Sequence, residues 1–229
     1  MGPVSDQRLR ELERKWRETG SVEDEAAYLR ERVRVGDLTQ ERLELAAYCG
    51  HGGAKRACGC VDLPNPNNWA LGLEHWPLEA SVRVALSAAR SAVDVWRTAL
   101  PDKRRPLEAF AMTEEWLTSH EPIPLERIVA LTVEIEGLVD PDKEEAGGWP
   151  SPEVECAMLA LFSLLEALRH AQSLPGAPDL ATRRWSCAGQ GATAIQFAER
   201  ARPDCSRSVL LGAKQELARV ALGSSMLAG

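Results

Sequence analysis

The sequence predicts an all-α fold, a multi-helix bundle or HEAT-like array around one buried helix at about residues 152–172. Apolar residues recur at steps of three and four in almost every segment. The strict apolar/polar alternation of half-buried strands is absent, and the chain holds only two Tyr and three Phe. Glycine and proline divide the chain into pieces of helical length.

The central helix is predicted from Pro152 to Gln172 because helix signals stand at both of its ends. Ser151 suits an N-cap and Pro152 suits the first helical position. Acidic residues follow in the first turn, where the helix dipole favours them. A helix that is apolar nearly all round is covered by neighbours on several sides. This one is too short and too interrupted to span a membrane, which takes about 20 apolar residues.

The composition narrows the classes of function. The chain has 229 residues, of which 45% are hydrophobic and 27% charged, as in ordinary globular proteins. Its formal net charge of −7 argues against a nucleic-acid binder, which needs a basic face. We expect neither a membrane partner nor a signal peptide, since the first residues contain no apolar segment. Six cysteines without such a signal are expected to be reduced, and a cytoplasmic location follows.

Three short helices are predicted in the N-terminal part. The first is Ser5–Thr19, the second begins after the cap Ser21 and ends at Gly36, and the third begins after Thr39 and ends at Gly50. A turn-rich stretch, Asp62–Asn68, then marks the domain boundary. We therefore predict a helical cap at residues 1–63, which includes a Cys/His turn, and a main all-helical domain at residues 64–229.

The main domain is predicted to contain seven helices, each bounded by proline, glycine or a capping residue. They are Trp69–His75, Pro77–Leu100, Pro106–Thr118, Leu125–Leu138, Pro152–Gln172, Leu180–Arg202 and Cys205–Leu222.

One of these helices carries a stripe of small residues, Cys187, Gly191, Ala194 and Ala198. A glycine inside a helix costs about 1 kcal/mol relative to alanine, so the stripe calls for a reason. Small residues on one face let another helix approach closely, and the central helix is the expected neighbour. The alternative interpretation is a ligand that lies against the bare backbone.

A candidate zinc site lies in the N-terminal part, where Cys49, His51, Cys58 and Cys60 fall within twelve residues. Reduced cysteine and histidine are the ligands that zinc prefers. The Cys-x-His and Cys-x-Cys spacings differ from those of common zinc fingers. The alternative is structural: a helix that ends in glycine, a short helical turn, and cysteines that act as small hydrophobic residues. Apart from zinc, no cofactor is expected.

No catalytic motif is present, and the three other histidines are isolated in sequence, so we expect no enzymatic activity. Other residues suggest contacts with a protein partner. Arg104 and Arg105 form a basic run at a helix start, which could instead be solvated or paired with Glu108. Tryptophan is favoured at binding hot spots, and several lie near helix ends or loops. The candidate partner-binding residues are Arg104, Arg105, Trp76, Trp149 and Trp185.

The stretch around residues 101–116 also resembles a known family. Asp102, Arg105-Pro106, Ala109 and Trp116 are similar to a motif of bacterial immunity proteins of the Imm-5-like type, and the resemblance covers about Trp69 to Ala201. The N-terminal helices resemble an uncharacterised HEAT-like bacterial module. The resemblance implies an all-α, non-enzymatic protein that binds and neutralises a toxin or effector domain. The alternatives are a scaffold or regulatory adaptor that uses its N-terminal helices as the contact surface, and a zinc-binding helical protein or other small helical enzyme.

Overall fold

The computed structural model describes residues 3–59, 68–99, 106–139, 151–172, 178–203 and 206–223. Within these ranges every regular element is helical and no strand is present, which confirms the all-α prediction. No helix among the described residues is long and apolar enough to cross a membrane. The chain divides into two compact units. Unit 1 comprises Met1–Leu63 with Lys214–Gly229, and unit 2 comprises Pro64–Ala213.

Among the described residues four helices lie wholly in unit 1, and their boundaries follow the local sequence signals. They are α1 (Pro3–Thr19), α2 (Val22–Val35), α3 (Gln40–Tyr48) and α4 (Gly52–Cys58). The Ser21 and Thr39 side chains cap α2 and α3 as predicted, by accepting the backbone N–H groups of Asp24 and Arg42. Gly36 ends α2 at φ 81°, in the left-handed region that favours glycine.

The end of the last helix, α11 (Ser206–Leu222), belongs to unit 1, whereas the sequence prediction placed all of residues 64–229 in one domain. Arg32 of α2 donates to the Leu222 carbonyl at 2.7 Å, and Arg42 of α3 donates to the Val220 carbonyl at 2.8 Å. These bonds satisfy carbonyls that a helix C-terminus leaves without an intrahelical partner. No local pattern indicates pairs that are about 180 residues apart.

The described part of unit 2 forms a short 3₁₀ helix and seven α-helices, the last of which continues into unit 1. In chain order they are Leu71–His75 (3₁₀), α5 (Leu78–Ser91), α6 (Val93–Ala99), α7 (Pro106–Ser119), α8 (Leu125–Val139), α9 (Pro152–Ala171), α10 (Leu180–Ala201) and α11.

Helix α9 is the predicted central helix, and its central position is confirmed. It packs against α5, α6, α7, α8 and α10, and its leucines at positions 164, 165 and 168 are fully buried. Arg183 of α10 closes its C-terminus by donating to the His170 carbonyl at 3.1 Å and the Ala171 carbonyl at 2.5 Å. Ser151 occupies the N-cap position, but its side chain does not accept a backbone N–H group. It instead bonds to the Glu153 side chain and lowers the pKa of that carboxyl.

The prediction of one helix from Pro77 to Leu100 is wrong, because the chain breaks at Ala92 between α5 and α6. The Ser91 hydroxyl donates to the Ala88 carbonyl at 2.7 Å, a local bond that competes with the helical pattern. Arg202 donates to the freed Ser91 carbonyl at 3.0 Å and so stabilises the break.

Candidate functional site

Three of the four candidate zinc ligands lie at the two ends of the short helix α4. Cys49 is buried directly after α3, and Cys58 is the last residue of α4. His51 is the N-cap of α4, where its Nδ1 accepts the Ala54 N–H at 3.3 Å. Its Nε2 lies 3.7 Å from Glu25 Oε1. Cys60 lies outside the described residues.

The local environment favours thiols over thiolates at the two described cysteines. Burial raises the pKa of Cys49 to about 12, and it also raises the pKa of Cys58. Metal ligation needs the thiolate, so a metal would have to offset this cost. Among the described residues no group of three His, Cys, Asp or Glu side chains could hold a metal ion. The zinc site stays a prediction, which metal analysis of protein purified without chelator tests.

The candidate partner-binding residues fall into three groups. Trp185, near the start of α10, is 65% exposed and is available to a partner. Trp76 is only 8% exposed because the residue packs into the core of unit 2, and so it cannot serve as a partner anchor in this fold. Arg104, Arg105 and Trp149 lie outside the described residues.

The small-residue stripe of α10 serves helix packing, as expected, but with two neighbours instead of one. The Cys187 thiol lies 3.3 Å from the Ala167 carbonyl of α9, so this part of the stripe faces the central helix. Gly191 faces α5, where an added Cβ would lie 3.3 Å from the Ser81 carbonyl oxygen. Helix α10 therefore packs between α9 and α5. Cys187 allows α9 to approach closely, and Gly191 allows α5 to do so.

The opposite face of α10 lines an open groove of about 550 Å³. The other walls come from the residues around the 3₁₀ helix and from the start of α11. Trp69 and Leu71 contribute apolar surface, and Thr193, Gln196 and Glu199 contribute polar groups from α10. The sequence does not predict this groove, because the residues around the 3₁₀ helix lie more than 100 residues before those of α10. A local sign of the groove is Gly189, a helical glycine that lies outside the predicted small-residue stripe.

Helix α8 presents an apolar face that the described chain leaves exposed. Ile128, Leu131 and Ile135 are buried, in a helix that packs against α7 and α9. Leu125, Val129 and Val133 form a second stripe at steps of four and are 40%, 44% and 58% exposed. We call these three residues the α8 stripe. Their spacing was visible in the sequence, but only the tertiary structure distinguishes the covered face from the exposed one.

Helix α8 is acidic, with three glutamates but one cation, Arg127. By helical spacing exposed Glu126 borders the α8 stripe, whereas exposed Glu134 lies farther round the helix, on the side of Arg127. The Arg127 guanidinium lies 3.5 Å from the Glu115 carboxylate of α7, which offsets its charge. An exposed apolar stripe can pack against the apolar face of an amphipathic helix, and the acidic charge of α8 favours one with basic residues.

Comparison with protein-family models, with curated proteins and with solved structures finds no match to this chain.

Proposed function

We propose that this protein is a non-enzymatic protein-binding module, and that its partner docks a basic amphipathic helix on the α8 stripe. The observation that carries the proposal is the exposure of Leu125, Val129 and Val133 along one helix face. The stripe spans about 12 Å, which matches two turns of a partner helix. A helix with two apolar faces is normally covered on both.

Charge complementarity selects the kind of partner. The glutamates of α8 and the net charge of −7 disfavour a second copy of this chain, because two acidic surfaces would face each other. A partner with lysine or arginine beside its apolar anchors gains attraction from the same groups. Trp185, near the start of α10, is a second exposed candidate for contact with a protein partner.

In its most specific form the module neutralises a toxin or effector domain, as the resemblance to bacterial immunity proteins implies. A basic toxin domain fits the partner chemistry that the α8 stripe selects. This proposal needs no bound cofactor.

The test is affinity capture of the tagged full chain from its native host, followed by mass spectrometry. The wild type is compared with Val129→Asp and with Val22→Asp, a matched control because Val22 and Val129 are each 44% exposed. We expect one stoichiometric partner that Val129→Asp loses and Val22→Asp retains. A partner retained by Val129→Asp, or no stoichiometric partner, contradicts the proposal.

The neutralising role has its own test, with the captured partner expressed in a naive bacterial host. Expression of the partner alone should stop growth, and co-expression of the wild-type chain should restore it. The Val129→Asp chain should fail to restore growth. A harmless partner would contradict the neutralising role and leave the binding module in place.

A further inference from the structure

The groove beside α10 contains a carboxylate, Glu199, for which the described residues supply no structural partner. Glu199 is half-buried, and within the described part of the chain no hydrogen bond or ion pair reaches its carboxylate. Burial raises the pKa of Glu199, because the charged form loses hydration without gaining a counter-ion. Glu199 is the single charged side chain among the described residues that line the groove. A cation in the groove would offset this cost.

A second observation, independent of the carboxylate, is the backbone exposed at Gly189. A helical glycine costs about 1 kcal/mol relative to alanine. Gly191 has a packing reason, since a Cβ there would press on Ser81, but a Cβ at Gly189 would meet nothing within 4 Å. Gly189 lines the groove, so its missing side chain leaves room for a bound molecule.

The remaining walls suit an apolar body attached to a cation. Trp69, Leu71 and Leu210 supply apolar surface, and an indole also attracts cations through its π system. Thr193 and Gln196 supply neutral polar groups, and the described walls contain no basic side chain. A volume of about 550 Å³ lies within the range of small-molecule sites.

We propose that this groove binds an organic ammonium ion with an apolar body, with Glu199 as the counter-ion and Trp69 as the aromatic wall. The site is separate from the α8 stripe and does not depend on the proposed partner.

The probes are tryptamine and indole-3-propionate, which carry the same ring and a side chain of similar length but opposite charge. Binding to the full chain is followed by isothermal titration calorimetry. We expect saturable binding of tryptamine and none of indole-3-propionate. Glu199→Gln should weaken tryptamine binding about tenfold, as loss of a charge-assisted contact does. Glu121→Gln, at an exposed position after α7, should change nothing.

Two further readouts separate binding in the groove from binding elsewhere. Gly189→Leu fills open space next to the groove and should abolish tryptamine binding, whereas Gly212→Leu, where a Cβ also meets nothing within 4 Å, should preserve it. Tryptamine affinity should rise with pH through the titration of Glu199, and Glu199→Gln should remove that dependence. The proposal is overturned by absence of saturable tryptamine binding, or by equal binding to Glu199→Gln. Partner capture should be unaffected by Glu199→Gln, so the two proposals fail separately.

Discussion

The two units use their polar groups differently. In unit 1 buried charged side chains form ion pairs, whereas ion pairs of unit 2, such as Arg127 with Glu115, lie at the surface. Buried Glu31 lies 2.5 Å from Arg34 and 3.6 Å from Arg8, and Asp24 lies 2.7 Å from Lys15. Arg32 bonds both Asp37 and the Leu222 carbonyl. Such pairing satisfies groups whose burial would otherwise be costly.

The core of unit 2 is apolar packing around α9, and part of the apolar surface of this unit stays exposed to solvent. Its helices cover the central helix from several sides, but the α8 stripe stays exposed and Glu199 has no ion pair among the described residues. The difference indicates where binding should be sought. In unit 1 His51 caps α4 and lies 3.7 Å from Glu25, whereas the α8 stripe and the groove beside α10 lie in unit 2.

The largest expected effect concerns an arginine that each unit uses in the same way. In both units its side chain donates to backbone carbonyls at a helix C-terminus. Arg32→Leu in unit 1 and Arg183→Leu in unit 2 should each lower the free energy of unfolding by about 3 kcal/mol. Each change leaves buried carbonyls without a donor. Guanidinium chloride denaturation measures both. Arg14→Leu breaks only an exposed pair with Glu18 and should cost less than about 1 kcal/mol.

The next effect probes the tight packing inside unit 1. Gly53→Ala places a Cβ against the Glu25 side chain, which lies directly on the glycine. The end of the flexible Glu25 side chain must turn away, which offsets the helix propensity that alanine gains, so we expect Gly53→Ala to be about 1 kcal/mol less stable than Gly52→Ala. Thermal unfolding measures the difference. Gly52→Ala is the matched control, since its Cβ would make ordinary contact with Val22 at 3.7 Å. Equal melting temperatures for the two variants would contradict this packing.

A smaller effect separates the two faces of α10 in unit 2. Gly189→Ala should stabilise the protein by up to about 1 kcal/mol, because the helix gains propensity and no atom is displaced. Gly191→Ala should instead be neutral or destabilising, because its Cβ would press on the Ser81 carbonyl of α5. Chemical denaturation of the two variants measures the difference. Equal gains would show that α5 yields to the added methyl group.

The smallest effect is the pH dependence that Asp24 of unit 1 contributes to stability. Hydrogen bonds from Lys15, Thr19 and Ser21 lower the pKa of Asp24 from 3.8 to about 2. A lowered pKa means that the stabilisation is present above pH 3.8 and is lost as the pH falls towards about 2. Asp24→Asn should flatten this part of the stability profile, measured by denaturation across that range. An unchanged profile in Asp24→Asn would assign the acid sensitivity to other groups.

Local signals predicted most helix boundaries. Ser21 and Thr39 bond to backbone groups three residues away, and Gly36 adopts its own left-handed conformation, so each signal and its effect lie in one stretch of sequence. The site was harder to predict. Trp185 proved exposed, but Trp76, which looked equivalent in sequence, is buried. The α8 stripe and the covered face of α8 both consist of aliphatic residues. Sequence spacing alone therefore does not tell which of the two faces is buried.

The sequence by itself determined the all-α class, the apolar central helix and the caps, because these depend on residues within a few turns of each other. The tertiary structure alone decided three other features: the closure of α11 by Arg32, the break at Ala92 that Arg202 stabilises, and the choice of exposed face on α8. Each depends on contacts between distant parts of the chain. Local periodicity specifies that a helix has an apolar face, and packing specifies which face is covered.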